Sequence, residues 1–188
     1  NNNQPNVKEL TSSVANTLIE QIDHLSKIAA DFSQFANIGN KRIARIDLHL
    51  ILRSLVELYQ SNPKASIVWE KVEGHLFMHT DKTHMNRLFT NLLTNAVDAC
   101  SGKKKCNIHI TEEKTDDAVI IAIKDDGEGI PAETQSKIFT PNFTTKTSGT
   151  GLGLAMCKSI VEQTGGSIWF ETAEGVGTTF YVKLPLVS

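Results

Sequence analysis

The sequence predicts an α+β fold: a two-layer α/β sandwich in which a mixed, mostly antiparallel sheet is covered by helices on one face, preceded by a long N-terminal helix. Three observations carry this expectation. Helical and strand patterns alternate from residue 46 onward without the strict βαβ rhythm of a doubly wound sheet, glycines punctuate the chain between residues 127 and 153, and a heptad pattern runs from Ala15 to Ala36. A chain of 188 residues with 40% hydrophobic content can bury one good core and carry a helical extension beside it. The expected division is 1–40 for the extension and 41–188 for the mixed domain.

Taken in order, Ala15, Leu18, Ile22, Leu25, Ala29, Phe32 and Ala36 recur at alternating steps of three and four, with Glu20, Asp23, Lys27 and Asp31 off that seam. Such a helix buries its stripe against partner helices, although a lone amphipathic helix packed onto its own domain has the same pattern, and Asn37, Gly39 and Asn40 mark its end. A second helical pattern runs from Ile46 to Tyr59 and stops at Ser61, Asn62 and Pro63, after which Ser66 to Lys71 alternates as a short strand. A third helix is predicted over Asp81 to Cys100. Strands follow over Asn107 to Glu112 and Ala118 to Lys124, joined by a polar turn. The fourth helix runs from about Leu152 to Gln163, ended by Gly165 and Gly166, before strands over Ser167 to Thr172 and Thr178 to Leu184.

Composition excludes several function classes. A formal charge of −2 with mixed signs supplies no basic face for duplex nucleic acid or anionic lipid, so neither is an expected partner. Lys103, Lys104 and Lys105 read as a solvated loop. The separations of Cys100, Cys106 and Cys157 match neither zinc-ligand spacing nor a disulfide framework, which fits a reducing setting. The longest apolar run, about Val119 to Ile123, is far short of the ~18 residues of a membrane span. The expected location is cytoplasmic for this part, with a longer parent free to be an inner-membrane sensor.

Chemistry concentrates at three places. On the third helix Asn91, Asn95 and Asp98 form a narrow polar stripe at the border of the apolar arc Met85, Leu88, Phe89, Leu92, Leu93, Ala96 and Val97. Helix interiors have little intrinsic use for Asn or Asp, so aligned oxygens there suit a hard cation, although a hydrated helix face has the same spacing. Asp125, Asp126, Gly127, Glu128 and Gly129 follow an apolar strand: glycine lets the backbone approach a flat ring, and a fixed carboxylate accepts from an exocyclic amine. An ordinary turn has the same composition, and the twelve-residue calcium loop is missing. Ser148 to Leu154 precedes a helix, where free N–H groups and the helix dipole favour an anion such as phosphate. Its glycine spacing is neither that of the dinucleotide motif nor that of the P-loop. Lys146 adds a positive charge ahead of it, or is an ordinary surface lysine.

In sequence order these segments resemble the boxes of histidine kinases. Asn91-Leu92-Leu93-Thr94-Asn95-Ala96 resembles the asparagine box, Asp125 to Gly129 the first glycine box, Ile138 to Lys146 the phenylalanine box and Gly149 to Leu154 the second glycine box. The resemblance spans roughly residues 45 to 186, and Gly177-Thr178-Thr179-Phe180 is similar to that family's closing strand. It implies the sandwich shared with gyrase-like and heat-shock-chaperone ATPases, with ATP and Mg²⁺ as cofactors. By position, Asn95 would coordinate the metal with Asn91 and Asp98 nearby, and Asp125 would bind the adenine amine. Gly127 and Gly129 would shape the adenine pocket, Thr178 would support it, and Gly149, Thr150, Gly151, Leu152 and Gly153 with Lys146 would cover the phosphates. Asn142 departs from the family, which often carries an aromatic residue there. The heptad helix resembles the second helix of the kinases' dimerisation hairpin, which implies a homodimer, and a response regulator as the downstream partner.

A general base for hydrolysis is missing: the related ATPases place a glutamate one turn before the metal asparagine, and this sequence has Asn91 there. That favours phosphoryl transfer over hydrolysis, and no residue of this chain is singled out as catalytic. His24, His49, His75, His79, His84 and His109 all lack an acceptor's context of a following acid and a nearby proline, so the acceptor is expected outside this chain. Two other functions fit the boxes, a scaffold that binds ATP without transferring it and an anti-sigma-type serine kinase, the latter leaving the heptad helix unexplained.

Overall fold

The computed structural model describes residues 7–39, 41–146 and 149–187, the side chains of residues 7–9, 24 and 27 excepted. The chain runs α1 (Val7–Ala36), β1 (Ile43–Asp47), α2 (Leu48–Gln60), β2 (Ala65–Glu70), β3 (Phe77–Asp81), α3 (Lys82–Asp98), β4 (Cys106–Lys114), β5 (Ala118–Asp125), α4 (Ala132–Gln135), α5 (Gly153–Gln163), β6 (Ser167–Ala173) and β7 (Gly177–Pro185). A five-stranded sheet has the order β2-β4-β5-β7-β6, in which β2 and β4 are parallel and the other pairs antiparallel. The predicted α+β fold is therefore present.

Period-two alternation decides which face of the sheet is covered. Ile108 and Ile110 of β4, Val119, Ile121 and Ile123 of β5, and Phe180, Val182 and Leu184 of β7 are buried beneath α2, α3 and α5. The opposite face is more open and carries a stacked Trp169–Tyr181 pair across the β6–β7 register, with centroids 5.3 Å apart. The apolar arc of α3 is the centre of the core: Met85, Leu88, Phe89, Leu92 and Leu93 are all fully buried. Each such side chain contributes about 1.5–3 kcal/mol on burial, so this arc fastens α3 firmly to the sheet.

Two strands have no counterpart in the predicted elements. β1 and β3 pair antiparallel as a separate ribbon, and Asp47 at the end of β1 caps α2 by accepting from the His49 N–H at 3.0 Å. The helical pattern predicted from Ile46 thus begins two residues late, because the cap requires extended backbone. The ribbon's own signal was present in the buried alternation Leu76, Met78 and Thr80. On β4, Glu112 ends the inner face and accepts from Trp69 Nε1 and the Val72 N–H, with His49 Nε2 at 2.9 Å. This polar knot closes the core under β2.

The helix α1 starts earlier than its predicted start at Ala15, and its seam is bare. Leu18, Ile22, Leu25 and Phe32 are each more than half exposed, while Phe35 and Ile38 at its far end pack into the domain core. Asn40 lies outside the described residues. The expectation that the cysteines form no disulfide is corrected: Cys100 and Cys106 are disulfide-bonded, with Cα atoms 5.4 Å apart. A helix end, a five-residue turn and a strand start bring them together, and sequence separation alone does not record that reversal.

Asp81 connects β3 to α3 and holds both. Its Oδ1 accepts from the Thr83 and His84 N–H groups at 2.7 and 3.3 Å, and its Oδ2 from the Arg42 N–H at 2.6 Å. Burial opposes ionisation here, but the three N–H donors outweigh it and hold the carboxyl below its usual range. A depressed folded pKa means that this stabilisation is complete above the unfolded value near pH ~4 and is lost as pH falls through the folded value. Replacing Asp81→Ala should lower unfolding stability by about 1–2 kcal/mol at neutral pH. Urea titrations at neutral and strongly acidic pH should show that deficit shrinking in acid.

Candidate functional site

Between α3, the β5–β7 strand ends and the start of α5 lies a cleft of about 710 Å³. Its deep end is built on strand alternation. Asp125 ends β5 on the same face as Ile121 and Ile123, so its carboxylate enters the core side at the floor of the cleft, where it is 2% exposed. Its Oδ1 accepts from the Gly127 N–H at 2.8 Å and the Thr178 N–H at 3.2 Å. Both bonds fall on one oxygen, and Oδ2 takes no hydrogen bond among the described residues. Burial pushes this carboxyl above its ordinary range, the bonds from Gly127 and Thr178 pull back, and the neighbouring Asp126 charge adds to the rise. Around it Ile130, Ile138, Met156 and Phe180 supply apolar walls. A buried acceptor between such walls suits a flat ring carrying an amine.

Two glycines make room for this turn. A Cβ at Gly127 would lie 2.6 Å from the Ala99 Cβ and carbonyl oxygen, so only glycine lets the turn rest on the end of α3. Gly129 has φ +74°, and the Glu128 N–H beside it donates to the Ala99 carbonyl at 2.9 Å. The turn is thereby pinned to the helix that carries the polar stripe.

The other end of the cleft is polar and charged. Asn91, Asn95 and Asp98 line it together, Asn91 and Asn95 half-buried and Asp98 exposed. Asp98 is therefore less enclosed than a stripe at the apolar border implies, because it sits on the last turn of α3. Lys146 Nζ donates to Asn95 Oδ1 and to Asp98 Oδ2, each at 2.9 Å, which places one positive charge between two oxygens of the stripe. Asn91 Nδ2 donates to the Gly153 carbonyl at 3.4 Å and ties the stripe to the first residue of α5. No side chain caps α5, and its first residues, Gly153 and Leu154, line the cleft with Gly149, Thr150 and Gly151.

Eleven of the thirteen predicted site residues line this one cleft. Gly127 and Leu152 do not: Gly127 stands behind the wall on Ala99, and Leu152 is a buried anchor at 4% exposure. Thr147 and Ser148, part of the glycine-rich segment, lie outside the described residues, as does the side chain of His24. Asn142 adopts φ +64°, a left-handed conformation that asparagine tolerates and an aromatic residue disfavours, which accounts for the departure from the aromatic pattern. Beside it, Phe139 packs edge-on against Phe170 and Phe180.

Among the lining residues that sequence reasoning missed, Arg87, Asp31 and Gln34 bear on the polar end of the cleft. Arg87 lies one turn before Asn91, and the spacing 87, 91, 95, 98 extends the stripe by one visible step. Asp31 and Gln34 come from α1, and Asp31 Oδ2 accepts from Thr150 Oγ1 at 2.8 Å. No local signal marks them, since their place in the wall depends on how α1 meets the glycine segment.

Comparison with known proteins agrees with this geometry. Residues 80–188 match the family of histidine kinase-, DNA gyrase B- and HSP90-like ATPases. The chain is 31% identical to the sensor protein kinase WalK of Staphylococcus epidermidis, over 95% of its own length and 31% of that protein, so it spans about a third of such curated relatives. The nucleotide-free catalytic domain of histidine kinase ThkA is 32% identical and superposes with a TM-score of 0.68, covering 77% of this chain and 96% of that one. ThkA in complex with the response regulator TrrA aligns over 98% of this chain and 53% of that one, at 25% identity and a TM-score of 0.76. With more than half of its length matched, and with the acid-glycine turn, polar stripe and glycine segment gathered around one cleft, the chain belongs to the histidine kinase-, DNA gyrase B- and HSP90-like ATPase family and is homologous to the ATP-binding catalytic domains of sensor histidine kinases.

Proposed function

We propose that this chain is the catalytic part of a two-component histidine kinase, binding Mg-ATP in the cleft and directing the γ-phosphoryl group to a histidine that is none of the six in this sequence. The observation that carries the reading is the cation between Asn95 and Asp98: the lysine ammonium shows that these oxygens converge on a positive charge. The same two oxygens, with Asn91 nearby, fit a magnesium ion, and Asn95 is its proposed ligand. When bound, Mg²⁺ would neutralise charge on the β- and γ-phosphates. Asp125 Oδ2 accepts the adenine amine, and the Asp125–Gly129 turn and Thr178 hold the ring. The N–H groups at the start of α5 and the Gly149–Gly153 segment bind phosphate oxygens, and Lys146 exchanges its carboxylate partner for phosphate. Asn91 spends its amide on Gly153 and offers no carboxylate to a water, which supports transfer to an acceptor over hydrolysis.

The exposed seam of α1 supports the division at residue 40 and the pairing of this helix within a dimerisation hairpin of the parent protein. Likeness to a kinase bound to its regulator supports relay to a response-regulator aspartate. The parent is then a signalling protein whose stimulus is received elsewhere, and an inner-membrane sensor is consistent with the finding that no described helix is long and apolar enough to cross a membrane.

The decisive test uses the parent protein with its acceptor helix, supplied with γ-labelled ATP. Acid-labile phosphohistidine is expected, and Asn95→Ala should abolish it while weakening Mg-ATP binding by at least about tenfold in calorimetry. Unchanged affinity and unchanged Mg²⁺ dependence in the variant would remove Asn95 from the metal site.

A pH profile tests the adenine acceptor separately. Because the Asp125 carboxyl is raised, its ionised form is lost as pH falls through a value above that of an ordinary carboxylate. ATP affinity should therefore decline in weak acid before the protein unfolds, and Asp125→Asn should bind weakly at every pH with that slope gone.

By composition the segment Phe143 to Gly151, which offers no large apolar side chain after Phe143, can bury too little to offset backbone ordering of ~1–2 kcal/mol per residue. Polyphosphate is its natural partner. Hydrogen exchange across this segment should slow with a non-hydrolysable ATP analogue more than with ADP; equal protection in free, ADP and analogue states would rule out a phosphate-gated lid.

A further inference from the structure

The disulfide lies beside the cleft, and none of the nucleotide chemistry uses it. Cys100 follows the end of α3 by two residues and Cys106 opens β4, so the pair joins the helix carrying the polar stripe to the strand beside β5. Both are buried, whereas the turn between them is exposed. The turn reaches the acid-glycine segment by several routes. Ala99, next to Cys100, accepts from the Glu128 N–H and is the surface on which Gly127 rests. Asn107, next to Cys106, donates to Asp126 Oδ1 through its backbone N–H at 3.0 Å and to Oδ2 through its side chain at 2.8 Å. Lys103, inside the turn, pairs with Asp126 Oδ2 at 3.2 Å and donates to the Asp126 carbonyl. Ser101 Oγ donates to Glu128 Oε1 at 3.0 Å. Ser101, Lys103 and Asn107 thus hold Asp126 or Glu128, on either side of Gly127.

We propose that Cys100 and Cys106 form a reversible dithiol–disulfide site, oxidised by a small anionic disulfide, whose state sets how firmly the Asp125–Gly129 turn is held against the end of α3. The chemistry balances within that exchange. One cysteine thiolate attacks the small disulfide and displaces a small thiolate, forming a mixed disulfide. The second cysteine then attacks the protein sulfur of that bond and displaces the other small thiolate. The protein loses two protons and two electrons, and the small disulfide is reduced to two thiols. Lys104 and Lys105, exposed in the turn, provide the positive charge that draws an anionic oxidant such as glutathione disulfide to this place. A metal explains the cluster less well. An Asp126 oxygen and the two sulfurs lie within 4.8 Å of one another, but Asn107 and Lys103 already occupy that carboxylate. Cys157 is a built-in control: it is free, and no second cysteine stands beside it among the described residues.

The site and its coupling to the turn stand apart from ATP binding; the effect on ATP affinity rests on Asp125 as the adenine acceptor. The whole chain would be equilibrated with oxidised glutathione or with dithiothreitol, alkylated, and mapped by mass spectrometry without reduction. Oxidation should yield one intramolecular Cys100–Cys106 bond. In the same two samples, exchange of the Gly127 and Glu128 amides should be slower in the oxidised form by on the order of tenfold, because the bond restrains local opening. ATP titration should show tighter binding by the oxidised form, and the redox difference should vanish in Cys100→Ser/Cys106→Ser but persist in Cys157→Ser. The comparison within the unmodified chain stands even where the double variant fails to fold. Free thiols at both positions under oxidised glutathione, or equal exchange in the two forms, would overturn the proposal. So would stoichiometric Zn²⁺ uptake by the reduced chain that blocks both alkylation and oxidation. Loss of ATP binding in both forms, with the mapping and exchange results intact, would refute the nucleotide reading and leave the redox site standing.

Discussion

The apolar arc of α3, from Met85 through Leu88, Phe89, Leu92 and Leu93 to Ala96, is sealed against the sheet, and that burial sets the rotation of the helix about its axis. A helix rotated by one residue would turn through about 100°, exposing part of the arc at several kcal/mol and carrying Asn91, Asn95 and Asp98 out of the cleft. Both ends reinforce the same setting. Asp81 caps the first turn and binds β1's approach through the Arg42 N–H, and the Ala99 carbonyl receives the Glu128 N–H just past the last turn. The polar stripe is therefore aimed by its apolar neighbours.

Three aspartates show how position on that frame determines chemistry. Asp81 and Asp125 are both almost completely buried, yet their carboxyls shift in opposite directions. Asp81 meets three N–H donors, so ionisation is favoured in spite of burial. Asp125 meets two, both on one oxygen, with the charge of Asp126 adjacent, so burial prevails and the second oxygen is left for an incoming donor. Asp98, exposed on the last turn of α3, is instead paired with Lys146. A cap, a buried acceptor and a charge-neutralising arm arise from one side chain in three environments.

The cleft also joins parts of the chain that have separate hydrophobic logic. Its floor belongs to the sheet, one wall to α3, the rim to the glycine segment, and Asp31 with Gln34 comes from α1. The Thr150–Asp31 bond is a direct link between the glycine segment and the long helix. Ordering of that segment by a ligand therefore competes with, or adds to, a contact on α1, and the bare seam of α1 connects the same helix to whatever covers it. This is a physical route by which helix packing and cleft closure can bias one another.

The sequence by itself determined the α+β class, eight of the ten elements longer than one helical turn beyond α1, and the three segments whose chemistry meets in the cleft. These are local properties: a period of 3.6 or 2, a strand ending in an acid, glycines before a helix. The β1–β3 ribbon escaped because its strands are five residues long and merge with the helices that they cap. Only the tertiary structure decided that Gly127 and Leu152 support the cleft from behind, that Lys146 sits between Asn95 and Asp98, and that Asp31 reaches Thr150 across 119 positions. It alone decided that Cys100 and Cys106 meet. Such contacts follow from how layers stack and where the chain reverses, and a one-dimensional pattern records which face a residue takes but not what stands opposite it.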